Sequence, residues 1–294
     1  MKKALFLYSG DTGPKTQEKK ALKAAKELSR AFDLTLKKTK SAEEAASLAK
    51  ASCGVYDALI VAGGDGTFHN ALNAIANEEK QPILGYLNLG TLGDVGKNFG
   101  VRRNLKKAIK IIEGGHVSTF DVVKANDRFF AYMAACGVYS DVAYSAKRKT
   151  KRRWGKFTYY WLSLKEAFHP YSLHVEGEAD GVPFSGEYSF AMVLNGSHVG
   201  GFNVNREGSM QDGEAELYLS PKGLFHGLPA FLFRTKKARP ISFRKATLCV
   251  KTDTPWCFDG EKEGEGACVF EVIPKKIRVY TSPKIPESGF IDRE

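Results

Sequence analysis

Three glycines surround one carboxylate in VAGGDGTFHN, residues 61–70. Gly63, Gly64 and Gly66 allow backbone N–H groups to come close to a ligand, and Asp65 sits among them. The stretch ends an apolar run, YDALIVAGG, that reads as a buried strand. It leads into FHNALNAIANEE, whose apolar residues have helical spacing. A glycine-rich turn between a strand and a helix N-terminus suits phosphate oxygens. A carboxylate beside a phosphate is repulsive unless a cation lies between them, so Asp65 points to Mg²⁺. A tight turn that needs glycine only for its backbone angles is the alternative this stretch alone leaves open.

Two further turns have the same character. LNLGTLGDVGKNFG, residues 87–100, follows an apolar run and pairs glycines with Asp94. YSGDTGPK follows the first apolar run and offers N–H groups and hydroxyls from Ser9 to Gly13. Ligands of parallel sheets bind at the carboxyl ends of the strands. Three phosphate-type loops on one sheet edge are therefore much more specific than any one of them.

The elements that must hold these loops can be read in order. KALFLY, residues 3–8, predicts a buried strand. TQEKKALKAAKELSRAF predicts a helix with Thr16 as N-cap and Glu18 in its first turn. DLTLKKTK alternates like a strand, and SAEEAASLAKAS predicts a helix with Ser41 as N-cap and Glu44 at the capping-box position. PILGYLNLG reads as a strand, and LKKAIKIIEGG as a helix closed by glycine. Strands alternating with helices predict a mostly parallel sheet covered on both faces. Near residue 117 the pattern changes to short strands with turn signals such as ADG and NGS, which predicts an antiparallel β-sandwich. One basic helical stretch, residues 145–168, interrupts it. The expected division is an α/β domain over residues 1–120 and a β-sandwich domain over residues 121–280, with a tail at 281–294 packing back on the first.

Composition narrows the partners. The 294 residues are 43% hydrophobic, enough for a sizeable core, and the net charge of +11 suits an anionic partner. Five cysteines without a CxxC pair fit reduced thiols in a cytosolic protein better than a disulfide framework or a zinc cluster. No apolar run approaches the roughly 20 residues of a membrane span, so membrane contact would be peripheral. KRKTKRRWGK, residues 147–156, carries seven Lys or Arg and a Trp. Such a run is a solvated charged face or a contact with an anionic membrane surface. No recognised nucleic-acid motif accompanies it, and nucleic acid is not expected as a partner.

These pieces together resemble the bacterial diacylglycerol kinases and related lipid kinases, and the resemblance covers essentially the whole chain. GGDGT at 63–67 is the family hallmark. GTLGD at 90–94 is similar to its second nucleotide-loop motif, usually written GTxND, and Phe258-Asp259-Gly260-Glu261 resembles its late DGE motif. The segments GVYSDVAYSAKRKTKRRWGKFTYY and VLNGSHVGGF are similar to family segments as well. Without the resemblance, Asp-Gly would read first as a hairpin turn.

The resemblance implies an α/β nucleotide-binding domain followed by a β-sandwich, with the active site in the cleft between them. It implies phosphoryl transfer from ATP to a lipid hydroxyl with Mg²⁺. ATP would be held by Ser9, Gly10, Asp11, Thr12, Gly13, Thr39, Gly64, Asp65, Gly66, Thr67, Phe68, His69, Asn70 and Thr91. Glu261 would be the general base with Asp259 beside it, and Asp65 would join them in catalysis. Asp65, Asp94 and Asp121 would organise the catalytic Mg²⁺ and its waters. A structural metal would fall on Asp212 with Ser209 and Glu214. A lipid alcohol, most simply diacylglycerol, is the implied substrate at the inner face of a membrane, and a homodimer is left open.

The chain departs from the family pattern at three places. Its first loop is SGDTG where NPxSG is usual; His69-Asn70 stand where Asn-Glu is usual; and Gly93 stands where the second loop has Asn. NAD kinases share GGDGT and are the other kinase reading, although they usually follow NLGTLG with Phe-Leu where this chain has Asp94. A lipid-binding protein with an impaired kinase site is the third.

Overall fold

A computed structural model describes residues 1–9, 15–101, 103–137, 172–206, 208–221, 240–251 and 255–286. Gly10, Asp11, Thr12 and Gly13, the stretch at 145–168 and its basic run at 147–156 lie outside these residues. The chain divides into two compact units, Met1–Val122 with Pro274–Glu294, and Val123–Ile273.

The first unit alternates strands and helices: β1 (Lys2–Ser9), α1 (Lys15–Leu28), β2 (Phe32–Thr39), α2 (Ala42–Ala51), β3 (Ala58–Gly63), α3 (Asp65–Ile75), β4 (Ile83–Asn88), α4 (Asp94–Asn98), α5 (Leu105–Gly114) and the start of β5 (Val117–Ala125). Its sheet has the order β2-β1-β3-β4, with the late strand Cys268–Tyr280 beside β4, and these pairings are parallel. Ala4–Tyr8 of β1 and all six residues of β3 are buried, as a sheet covered on both faces requires. β2 is the edge, and its outer residues Leu36, Lys37 and Lys38 are exposed, with two lysines discouraging further pairing.

The helices follow their apolar stripes. α1 buries Ala21, Ala24, Ala25 and Leu28, spaced as one helical face. Burying a side chain the size of Leu28 contributes about 1.5–3 kcal/mol. Ala24 and Ala49 are fully buried, so a larger residue at either would overpack, at a cost of about 1–3 kcal/mol. α1 starts at Lys15, which leaves Thr16 inside the first turn and not at the cap. At α2, Ser41 Oγ accepts the Glu44 N–H, while Glu44 Oε2 accepts the N–H of Lys40, one residue before the expected reciprocal partner. α5 opens on Asn104, whose Oδ1 accepts the Lys107 N–H, and closes on Gly115 in the left-handed conformation.

The second unit is antiparallel in every pairing described. It holds the end of β5 with β6 (Arg128–Phe130), β7 (Met133–Gly137), β8 (Leu173–Ala179), β9 (Val182–Leu194), β10 (His198–Val199), β11 (Phe202–Asn203), β12 (Ala215–Pro221), β13 (Ile241–Phe243), β14 (Lys245–Lys251), β15 (Cys257–Phe258), β16 (Glu261–Lys262) and the first part of β17 (Cys268–Tyr280). β9 is the hub: its first half pairs with β8, and its second half pairs with both β7 and β12. Its side chains alternate. Ala191 and Val193 enter a core with Phe130, Trp256, Phe258 and Phe270, whereas Phe190, Met192 and Leu194 pack with Ala135 on the opposite face. Trp256 meets Phe270 edge-on with ring centroids 5.2 Å apart. The mostly parallel α/β unit followed by an antiparallel β unit is the fold class expected from the sequence.

Candidate functional site

The two glycine loops of the first unit are brought together by strand register. β3 and β4 pair so that Gly63 faces Asn88, and the Leu89 N–H donates to the Gly63 carbonyl at 2.8 Å. A Cβ on Gly90 would lie 2.8 Å from the Gly64 Cα, so the second loop can approach the first only without a side chain there. Gln17 of α1 donates from Nε2 to the Leu89 carbonyl at 2.8 Å, which ties α1 to the second loop.

Asp65 joins the loops. It is the first residue of α3, whose N-cap is Gly64. Its Oδ2 accepts the N–H groups of Gly93 at 2.9 Å and Asp94 at 3.3 Å, and its Oδ1 accepts the Val95 N–H at 3.2 Å and the Tyr86 hydroxyl at 3.2 Å. The carboxylate therefore binds the amides that open α4. Burial raises its pKa above the usual 3.8, and the nearby Asp94 raises it further, while the three amides act in the opposite direction. Burial, then Asp65, push the Tyr86 hydroxyl well above its ordinary 10, which keeps it a donor. Asp94 is buried and pairs with Lys97 Nζ at 2.8 Å.

Of the other residues expected to hold the nucleotide, those described lie at the ends of β1 and β2, on α3 and in the second loop. Ser9 ends β1 and pairs in register with Thr39, whose hydroxyl donates to the Tyr8 carbonyl at 3.3 Å. Gly66 and Thr67 lie in the first turn of α3, where the Thr67 N–H already donates to the Gly64 carbonyl at 3.1 Å. Phe68 and His69 are buried, with His69 Nε2 3.3 Å from Asn73 Nδ2. Asn70 is half-buried, and Thr91 is exposed. Asp121 is buried, and its Oδ1 accepts the Lys275 N–H at 2.7 Å where the backbone of β17 has positive φ.

The second unit presents the late motif as a hairpin. Phe258 of β15 pairs with Glu261 of β16, and the two residues between them, Asp259 and Gly260, have φ of 50° and 92°. Positive φ at both positions matches the tightest hairpin turn, so the plain reading of Asp-Gly holds. Asp259 does more than turn the chain. It is buried, and its carboxylate accepts the N–H groups of Ala131 at 2.7 Å, Tyr132 at 3.0 Å and Met133 at 3.2 Å. Its own N–H donates to the Met133 carbonyl at 2.9 Å. Glu261 is exposed on the outgoing strand.

Ser209, Asp212 and Glu214 lie in one loop of the second unit. Ser209 Oγ accepts the Gln211 N–H, Asp212 Oδ1 accepts the Glu214 N–H, and Glu214 pairs loosely with Arg244 at 3.8 Å. Among the described residues, no three His, Cys, Asp or Glu side chains gather as metal ligands. The donor set at the first-unit loops suits an ion held through its water shell. Asp65 and Asp94 are close enough to repel, which a cation relieves, yet their oxygens already hold amides, a hydroxyl and an ammonium.

Tyr86, Asn88 and Gln17 were not legible as site residues. The one available signal was an asparagine ending an apolar strand just before a glycine loop.

Comparison with known proteins agrees with this architecture. Residues 3–125 match the diacylglycerol kinase catalytic domain. The chain is 28% identical over 248 residues to a diacylglycerol kinase of Staphylococcus carnosus (strain TM300), covering 81% of each. It is 28% identical over 247 residues to a diacylglycerol kinase of Staphylococcus saprophyticus, again covering 81% of each. A solved structure of a diacylglycerol kinase from Bacillus anthracis str. Sterne shares the fold with a TM-score of 0.82, at 23% identity over 97% of this chain and 99% of that one.

Proposed function

We propose that the chain is a member of the family of bacterial diacylglycerol kinases and related lipid kinases and, from that premise, that it transfers the γ-phosphate of ATP to a lipid hydroxyl. Diacylglycerol is the substrate that its relatives' names suggest, with phosphatidic acid as product. The observation that carries the reading is the Asp65 carboxylate holding two glycine loops together at the ends of β3 and β4.

Phosphoryl transfer needs positioning and charge neutralisation more than covalent help. The leading amides of α3 and the glycine backbone at 63–66 form the cradle for the phosphates, with the second loop held against them. A magnesium ion held near Asp65 and Asp94 through its waters would supply neutralising charge to the triphosphate. Asp65 acts by fixing the second loop against the first. Glu261 is the general base that takes the hydroxyl proton, and Asp259 acts through it by fixing the turn that carries it. Asp121 holds β17 at Lys275.

No helix among the described residues is long and apolar enough to cross a membrane. The substrate would be reached by peripheral contact, with the basic run at 147–156 on an anionic surface. Each basic residue near such a surface contributes about 1 kcal/mol.

Labelled phosphate transfer from ATP to a panel of lipid alcohols and to NAD, with the product identified, tests the reading. A phosphorylated lipid is expected. Phosphorylated NAD, or no transfer to any acceptor, would overturn it.

A further inference from the structure

The second loop lacks the asparagine that GTxND motifs carry, and glycine stands there at position 93. The backbone does not demand glycine. Gly93 has φ 68° and ψ 42°, a left-handed conformation that asparagine tolerates better than most residues. A neighbour demands it. A Cβ on residue 93 would lie 1.7 Å from Asn88 Nδ2 and 2.7 Å from Asn88 Cγ. The Asn88 carboxamide thus occupies the space of a residue-93 side chain.

That carboxamide is wired to both loops on one side only. Oδ1 accepts the Gly90 N–H at 2.8 Å, and the Tyr86 hydroxyl, which also reaches Asp65, lies 3.5 Å away. Nδ2 is shielded from water and has no partner among the described residues. A buried amide left without an acceptor is costly, and few are kept without a reason. Its glycine neighbours differ from it, since the Gly90 and Gly93 amides already donate to Asn88 Oδ1 and Asp65 Oδ2.

We propose that Asn88 is this chain's substitute for the missing residue-93 asparagine: its carboxamide fills that place, and its Nδ2 donates to a phosphate oxygen of the bound nucleotide. Positions 88 and 93 are then a compensated pair. The amide has moved from the loop to the end of β4, and Gly93 is the accommodation. This inference rests on the nucleotide reading given above.

A double-mutant cycle on the full chain tests it. The variants are Asn88→Ala, Gly93→Asn and the pair together. The probe is the magnesium complex of β,γ-imido ATP, bound in a calorimeter, with thermal melting alongside. Gly93→Asn alone should melt about 5 °C or more lower, because its side chain collides with Asn88. Asn88→Ala should bind the analogue about tenfold more weakly, the effect of one lost hydrogen bond. The double variant should regain both melting and affinity, because an asparagine at 93 then has room. A merely structural Asn88 would not have its binding defect rescued from position 93. A double variant no better than Gly93→Asn, or an Asn88→Ala that binds like the parent, overturns the proposal. If the parent binds no analogue, the nucleotide reading falls; the melting arm then judges the pairing alone, which stands on rescue and falls without it.

Discussion

Asp65 in the first unit and Asp259 in the second have the same job by different routes. Each is an aspartate beside a glycine in a motif of catalytic appearance, and each gives its carboxylate to three successive backbone amides. Asp65 draws in the amides of 93–95; Asp259 draws in those of 131–133. What they leave facing outward differs. Asp65 itself opens α3, whose leading backbone N–H groups suit an anion. Beside Asp259 stands exposed Glu261, an acceptor for a proton. The motif aspartates fasten the structure, and on the proposed function the residues beside them would meet the substrate.

The comparison also separates the two electrostatically. Asp65 has a second buried carboxylate, Asp94, near enough to raise its pKa. Its extra donor is a tyrosine hydroxyl, which remains protonated. Asp259 is instead held in a left-handed turn position, which only a few residue types accept readily.

The largest expected effect is that of Asp65→Ala. It strips three amides and the Tyr86 hydroxyl of their acceptor, and each buried orphan costs about 1–3 kcal/mol. Urea unfolding should show a loss upwards of about 3 kcal/mol, and phosphate transfer should vanish with it. A variant as stable as the parent would show that Asp65 is not a fastener. Asp259→Asn should do less, because one oxygen remains for the Tyr132 and Met133 amides while Ala131 loses its partner. A stability loss of about 1–3 kcal/mol is expected from urea melts. An effect as large as that of Asp65→Ala would mean that the two sites are not built alike.

The smallest effect is the pH dependence owed to Asp65. Its folded pKa is raised, so the folded protein binds more protons than the unfolded chain above about pH 4. The stability owed to Asp65 therefore declines as pH rises from the ordinary carboxylate range through the raised value. The penalty of Asp65→Asn, measured against the parent by urea melts at pH 4.5 and 7.5, should be greater at the lower pH. A penalty that grows with pH would mean that the ionised carboxylate is favoured on folding.

Much of this was legible in the sequence because it was written in periodicity. The buried runs of β1, β3 and β4, the capping at Ser41 and the glycine closing α5 each have a local cause. α3 begins at Asp65, three residues before its first large apolar side chain, because a polar first turn gives no hydrophobic signal. α4 was read only as a turn; five residues with a glycine inside carry no stripe, and what starts the helix is Asp65, from another strand's end. The hairpin at Asp259 was legible, but its three amides come from 131–133, over a hundred residues away. Asn88 was missed for the same reason: its meaning lies in a collision with Gly93 that only the folded chain displays.

The most direct test of the division of labour is the phosphate-transfer rate of Glu261→Gln, measured beside its melting curve. Glutamine keeps the size of glutamate and removes its basicity. A general base is worth about 10²–10⁴-fold, roughly 3–5 kcal/mol of barrier. The predicted result is a fall in kcat of that order with nucleotide affinity and melting temperature unchanged, since the Glu261 side chain is exposed. A Glu261→Gln protein that turns over like the parent, while Asp259→Asn is silent and still folded, would place the base at Asp259 and contradict the account.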